Sequence, residues 1–353
     1  MTALVESATA TPHGRPRMQP PRRGGAARRW GGLALAVVAL VVLAVLSVAL
    51  GARMVPLGTV LDAFTDFDGS TDHVVIRQMR VPRTVLGIVV GAALGLAGAL
   101  TQALTRNPLG DPGILGLNAG AAACVVTGIT LLGIATPSGY VWLAIAGAFL
   151  AALLVYGVGA GRRATDPIRL ALAGTAIAAI FTAYTTVMVL RFPDAFDDYR
   201  FWAVGSLVNR GEDVIGTLAP FFVVGIGLGL LLGRPLNALA LGDETGQALG
   251  SHPGRTRLLT GVTVTVLCGA ATAAAGPIGF VGLAVPHFAR AVVGVDQRWV
   301  LAYSVLLGPV MVLAADIVGR LLGPAEIQAG IVTAFLGAPV LIMVARRRRV
   351  SRW

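Results

Sequence analysis

Apolar residues run along this chain in long blocks, and polar residues fill the short intervals between them. Ten apolar segments can be marked, at 30–50, 82–104, 114–134, 140–160, 170–190, 218–232, 258–275, 278–293, 300–322 and 327–345. Most have the ~20 residues that carry an α-helix across ~30 Å of hydrocarbon. The sixth and eighth are short. The pattern predicts an all-α membrane protein with about ten transmembrane helices. Three regions follow from it: an Arg-rich tail at 1–29, a ten-helix membrane domain at 30–345, and a basic tail at 346–353. The first tail is polar, with Pro, Gly, Ala and six Arg, and reads as disordered. The block at 30–50 is too long for a signal-peptide core and lacks a clear small-residue cleavage site, so it is expected to be an uncleaved first span.

Only the helix-breaking pair Gly276–Pro277 separates the seventh segment from the eighth. If the two formed one kinked helix, nine spans would result and everything after it would invert. The arginines decide between the two, because cytoplasmic loops carry the excess of positive charge. With ten spans and the N-terminus inside, 20 of the 28 arginines fall on the inner side. The outer side keeps Arg53, Arg77, Arg80, Arg83, Arg191, Arg200, Arg210 and Arg320, together with ten acids that include Asp62, Asp66, Glu212 and Glu326. A nine-span chain would export the cluster Arg346–Arg349. Both termini are therefore expected in the cytoplasm.

Composition sharpens this picture by exclusion. The chain is 56% hydrophobic and 13% charged, with mean hydropathy +0.78. A soluble domain carries roughly 25% charged residues. All 28 basic residues are Arg. Without Lys there is no P-loop and no Schiff-base chemistry, so ATP-driven work needs a partner chain. The net charge of +11 sits in loops and tails, where topology accounts for it better than nucleic acid does. Cys124 and Cys268 lie in apolar segments and read as small buried hydrophobes. The four His show no ligand spacing.

Four segments are more polar or more broken than a plain bundle requires. Arg80-Val81-Pro82-Arg83-Thr84 puts two arginines one helical turn apart on the outer side. That arrangement fits a cationic spot for a carboxylate, or interfacial snorkelling. Residues 106–116, with two Pro and three Gly, read as a rigid cytoplasmic turn. In the loop after the sixth segment, Leu241 to Gly250 reads as a short amphipathic helix. Asp243 and Glu244 stand at its start and Gly250 at its end. Its apolar positions Leu241, Ala248 and Leu249 have no span to join, which suits docking to a partner. The fourth segment, Ala275 to Arg290, contains Gly276, Pro277, Gly279, Phe280 and Gly282. Broken backbone at membrane depth is tolerated only against protein or a water-filled cavity, so these five are candidates for the wall of a pathway.

Together the four segments resemble the FecCD-type permeases of iron–siderophore and cobalamin ABC importers. The resemblance spans nearly all of the chain after residue 75. It includes Leu172-Ala173-Gly174, Trp202 with Gly205, Ala314 to Arg320, Gly330 to Ala334, and Gly337-Ala338-Pro339. It implies a permease that performs no covalent chemistry and binds no cofactor, with ATP and Mg held by a partner ATPase. It also implies a second permease copy or a similar permease, a soluble binding protein, and a pathway between the two permeases. Leu241, Gly242, Asp243, Glu244, Ala248, Leu249 and Gly250 would then couple to the ATPase. Arg80, Arg83 and Arg320 match positions that pair with acids of the binding protein. Asp166, Pro167 and Ile168 occupy the inner gate, where small hydroxylated residues are usual and Asp-Pro departs from the pattern. Ferric siderophore is the first expectation for cargo, with cobalamin and haem as alternatives. The rival reading is an ion-coupled transporter built on Asp316. Arg320 at i+4 is a ready partner for that acid, which favours a structural ion pair.

Overall fold

The computed structural model describes residues 25–51, 54–134, 136–159, 167–208, 212–322 and 326–346. Its helices are α1 (Gly25–Ala49), α2 (Leu57–Thr65), α3 (Thr71–Val75), α4 (Val81–Thr105), α5 (Leu117–Leu132), α6 (Pro137–Gly159), α7 (Pro167–Arg191) and α8 (Asp194–Ala203). Then follow α9 (Glu212–Leu231), α10 (Gly233–Ala240), α11 (Asp243–Ala248), α12 (Pro253–Ala275), α13 (Val281–Val293), α14 (Gln297–Leu321) and α15 (Ala329–Arg346). No strand occurs among the described residues. Among them, seven helices are long and apolar enough to cross a membrane, and three shorter apolar helices run Leu117–Leu132, Val281–Val293 and Ala329–Val340.

Helix starts differ from the apolar segments wherever charge conceals them. α1 begins at Gly25, inside the stretch expected to be a disordered tail. Ala26, Ala27, Arg28 and Arg29 are good helix formers. Arg28 also donates to the carbonyl of Ala291 at 3.0 Å, and Arg29 lies 5.8 Å from the Trp299 ring. The second segment belongs to a continuous helix from Thr71 to Thr105. Its π-helical turn at Ile76–Arg80 joins α3 to α4. Pro82 explains that turn. Proline has no N–H to offer the carbonyl four residues back, and the Val81 N–H bonds instead to Ile76, five residues back.

α4 is the centre of the bundle, with 83% of its apolar stretch buried. Three glycines allow its neighbours in. Gly91 lies against the backbone of Gly308 and Pro309, Gly95 against Ser304, and Gly98 against Gly282. Each place is too tight for a Cβ. Helices in a bilayer associate through close packing, and small residues permit it. α14, α12 and α13 therefore surround α4 with their backbones near its own.

The chain does break after α12. Gly276 sits at φ +72°, and helix resumes only at Val281. One kinked helix through this point is excluded. The segment 276–280 is held from two sides. Gly276 packs on the Trp202 carbonyl, Ser206 donates its N–H to Ala275 at 2.7 Å, and Gly337 of α15 packs on Phe280.

Candidate functional site

The first cluster forms where α1 ends. A helix leaves its last four carbonyls without partners, and its C-terminus carries partial negative charge. Two guanidinium groups meet those carbonyls. Arg80 donates to Val48 and Ala49, each at 2.8 Å. Arg320 donates to Ser47 at 2.7 Å and to Leu50 at 3.0 Å. The hydroxyls close the shell. Thr84 donates to the Arg80 carbonyl, and Ser47 bridges Thr84 and Arg320.

Asp316 is the centre of this cluster. Arg83 reaches it from α4 with Nε at 3.1 Å from both oxygens and Nη2 at 2.8 Å from Oδ1. Arg320, one turn along α14, takes Oδ2 with both Nε and Nη2. The carboxylate is 1% exposed. Arg83 also donates Nη1 to Glu326 at 2.7 Å. The structure thus brings together all three arginines expected at a docking surface and turns Arg80 and Arg320 inward. Arg83, through Glu326, keeps the most solvent-facing pair.

The second cluster lies at the other end of α4. α10 and α11 form two short helices, and the amphipathic stretch expected over 241–250 is helical only across 243–248. Leu241 ends α10, and Gly242 at φ +102° turns the chain before Asp243. No L side chain adopts that φ readily. Asp243 accepts two bonds from Arg257 at 2.8 Å and one from Arg106 at 3.2 Å. Arg106 also donates to the Leu239 carbonyl at 2.6 Å. Glu244, Ala248 and Gly250 are exposed beside it, and Leu241 and Leu249 present open apolar surface. Nearby, Arg298 and Asn237 bond the Asp296 carboxylate and hold its pKa down at about 2.

Residues 106–116 do more than turn at a surface. They fold back along α4, so that Asp111 and Pro112 reach Gly282 at the start of α13, beside Gly98. Gly98 lies two turns inside α4, roughly 10 Å from its end. Asp111 accepts from the Gly113 N–H at 2.7 Å. Next to it, Asn118 accepts from Thr272 at 2.9 Å, and Gln102 donates to Gly282 and Leu283. Sequence reasoning took Asp316 as the one acid within the spans and passed over Asp111. The available signal was the Asp-Pro pair just before the third apolar segment.

The candidate pathway residues occupy different surroundings. Gly276, Pro277 and Gly282 are packed against protein backbone, while Gly279 is exposed. Phe280 holds φ +67°, which is rare for an aromatic residue. Of the expected gate, Asp166 lies outside the described residues, and Pro167 and Ile168 open α7. Most of α7 lies bare, only 17% buried along its apolar stretch. Thr175, Ala179, Thr182 and Thr186 form one exposed stripe on it at helical spacing. Among the described residues, no three His, Cys, Asp or Glu come together as metal ligands.

The sequence profile of the FecCD transport family matches residues 39–347. The ferric enterobactin transport system permease protein FepD of Escherichia coli (strain K12) is 45% identical over 311 residues, which cover 88% of this chain and 93% of the relative. The Fe(3+)-citrate import system permease protein YfmD of Bacillus subtilis (strain 168) is 39% identical over 284 residues, 80% of this chain and 84% of the relative. A solved inward-facing ABC transporter assigned to the metal-chelate type superposes with TM-score 0.80 at 28% identity, covering 89% of this chain and 98% of that one.

Proposed function

The chain belongs to the FecCD transport family, and from that premise we propose that it is the permease of a bacterial ATP-driven importer of ferric siderophores. Ten spans with both termini in the cytoplasm of the plasma membrane complete the reading. The arginine distribution supports that topology.

The stripe on α7 carries the proposal. Lipid-facing helices are apolar, and hydroxyls and small side chains mark surfaces that meet protein or line a water-filled path. Thr175, Ala179, Thr182 and Thr186 are exposed, with no helix covering them among the described residues. A second permease copy, or a similar permease, opposite α7 would enclose a path lined by both. A ferric chelate is large and polar, and suits a wall of hydroxyls rather than a tight set of ligands.

The two charged clusters fit the two expected partners. ATPase subunits dock at α11, where Leu241, Glu244 and Leu249 stand open, with ATP and Mg held in those subunits. The soluble binding protein docks at the end carrying Arg80, Arg83 and Arg320. Docking and ATP binding shift the populations of two access states, and the permease itself makes and breaks no covalent bond. Ion coupling through Asp316 is a poor alternative, because that carboxylate already holds two guanidinium groups.

Uptake of a radiolabelled ferric siderophore into proteoliposomes tests the reading, with ATPase and binding protein added or withheld. Uptake that needs both partners and ATP, and that falls in Glu244→Arg, is expected. Uptake by this chain alone under an ion gradient would overturn it. Coupled ATP hydrolysis without siderophore uptake would redirect the cargo to cobalamin or haem.

A further inference from the structure

A cavity of about 540 Å³ opens between α1, α2 and α4 near the C-terminal end of α1. Ala44 and Val48 form one wall, Val85 and Ile88 another, and Leu61 and Phe64 of α2 cover it. The lining is apolar throughout. The Thr84 hydroxyl at its edge is turned to Ser47 and to the Arg80 carbonyl. Water needs two to four polar partners to stay in such a space and finds none here. Left empty, the walls would lose dispersion contacts over their whole area.

What adjoins the mouth indicates what fills it. The face of α1 next to the cavity exposes Leu35, Val37, Val38, Val41, Val42, Val45 and Leu46. This helix has the highest mean hydropathy of the seven, 2.9, and only 17% of its apolar stretch is buried. Its exposed face between Leu35 and Leu46 holds only Leu and Val, with none of the small or hydroxylated residues through which helices associate in a bilayer. That face meets hydrocarbon, and the cavity continues it inward. α2 ends the groove as a short amphipathic helix, with Leu57, Leu61 and Phe64 exposed on one side and Asp62 and Asp66 as its acids. Such a helix suits the boundary between headgroups and chains. Arg77 lies at this rim, 5.9 Å from the Phe64 ring and 4.5 Å from the Phe67 ring. Its Nε donates to the Ala63 carbonyl at 2.6 Å and its Nη2 to the Phe64 carbonyl at 3.4 Å, which fixes the guanidinium at the C-terminal end of α2. Asp66, exposed and between Phe64 and Phe67 in the chain, brings the opposite charge to the same end, so the two signs complement a zwitterionic headgroup.

We propose that this groove is a lipid site holding one acyl chain of a membrane phospholipid, with its headgroup at Arg77 and Asp66. The site is independent of the transport reading.

Photolabelling tests it, using a phosphatidylethanolamine that carries a diazirine in its acyl chain. The full-length protein is compared with Ala44→Trp and Val85→Trp, which fill the groove from opposite walls. Adducts are expected to concentrate on 44–48, 57–64 and 85–88. Both tryptophan variants should lose them while labelling at the exposed Val223 and Val224 of α9 stays unchanged. Two variants guard against misfolding of one, and size exclusion reports folding directly. Labelling spread evenly over the apolar surface, or unaltered by either tryptophan, would overturn the proposal. So would a disulfide between two copies of a Leu61→Cys variant with the groove unlabelled, which would make the occupant a second chain.

Discussion

The same small device occurs twice, once at each end of α4: one aspartate between two arginines. Asp316 joins Arg83 to Arg320, and Asp243 joins Arg106 to Arg257. The chemistry is equal and the surroundings are not. Asp316 is 1% exposed, whereas Asp243 is 37% exposed and Arg106 41%. Asp316 sits where α1 ends, so Arg320 also serves helix carbonyls and cannot leave without orphaning them. Asp243 sits in a two-helix loop where water can replace any partner. The buried bridge fixes three helices relative to one another. The open one holds the surface loop at which the proposed ATPase would dock.

The largest difference is expected in stability. Asp316→Asn removes the carboxylate shared by Arg83 and Arg320 and leaves buried positive charge facing positive charge. Breaking a buried ion pair from one side costs about 3–5 kcal/mol. Asp243→Asn breaks an exposed one and costs ~1 kcal/mol or less. Denaturant titration of the detergent-solubilised protein reads both. Equal losses would erase the distinction between the two bridges.

Function should reverse the order. Arg106 holds α11 through Asp243 and α10 through Leu239, and it begins the segment that folds back to Asp111 and the start of α13. Motion at α11 therefore has a short route to the centre of the bundle. Arg106→Ala is expected to cut siderophore uptake about tenfold, the effect of ~1.4 kcal/mol, while the unfolding midpoint scarcely moves. ATPase activity in the assembled transporter should persist, which separates loss of coupling from loss of docking. Unchanged uptake would show that the open bridge holds the loop without transmitting anything.

Salt separates the bridges more gently. The Debye length falls from ~10 Å at 0.1 M to ~3 Å at 1 M, and exposed pairs feel it most. Hydrogen exchange across 241–250 should quicken over that range, while exchange near Ser47 and Leu50 stays put. Parallel quickening at both ends would mean that the Asp316 cluster is wetter than its geometry implies.

The sequence revealed these bridges unevenly, for physical reasons. Asp316 and Arg320 are one turn apart, and helix periodicity alone pairs them. Arg83 joins them across more than two hundred residues, a contact that no local pattern carries. Likewise the ten apolar blocks are plain, but charge at Arg77, Arg80 and Arg83 hid the helix that runs on from Thr71. The break at Gly276–Pro277 was legible because both residues disfavour helix. The fold-back of 106–116 was not, since a Pro-Gly-rich turn looks the same whether it faces water or re-enters the bundle. At α11 the acids at the helix start were legible. That Asp243 answers to Arg106 and Arg257, and leaves Glu244 free of them, depends on a tertiary contact.

Glu326 gives the smallest and most discriminating effect. It is the outermost member of the buried cluster, about a third exposed, and among the described residues its hydrogen bond is to Nη1 of Arg83. Asp316 takes Nε and Nη2 of that guanidinium, so Glu326→Gln leaves the Arg83 charge paired. The amide oxygen can still accept the same hydrogen bond. The expected loss is under ~1 kcal/mol, the range of exposed pairs, although the residue belongs to the buried cluster. A loss near that of Asp316→Asn would mean that burial extends past Arg83 and that the cluster acts as one unit. A small loss would place the boundary of the rigid network at Arg83, the arginine a partner's carboxylate could reach by displacing Glu326.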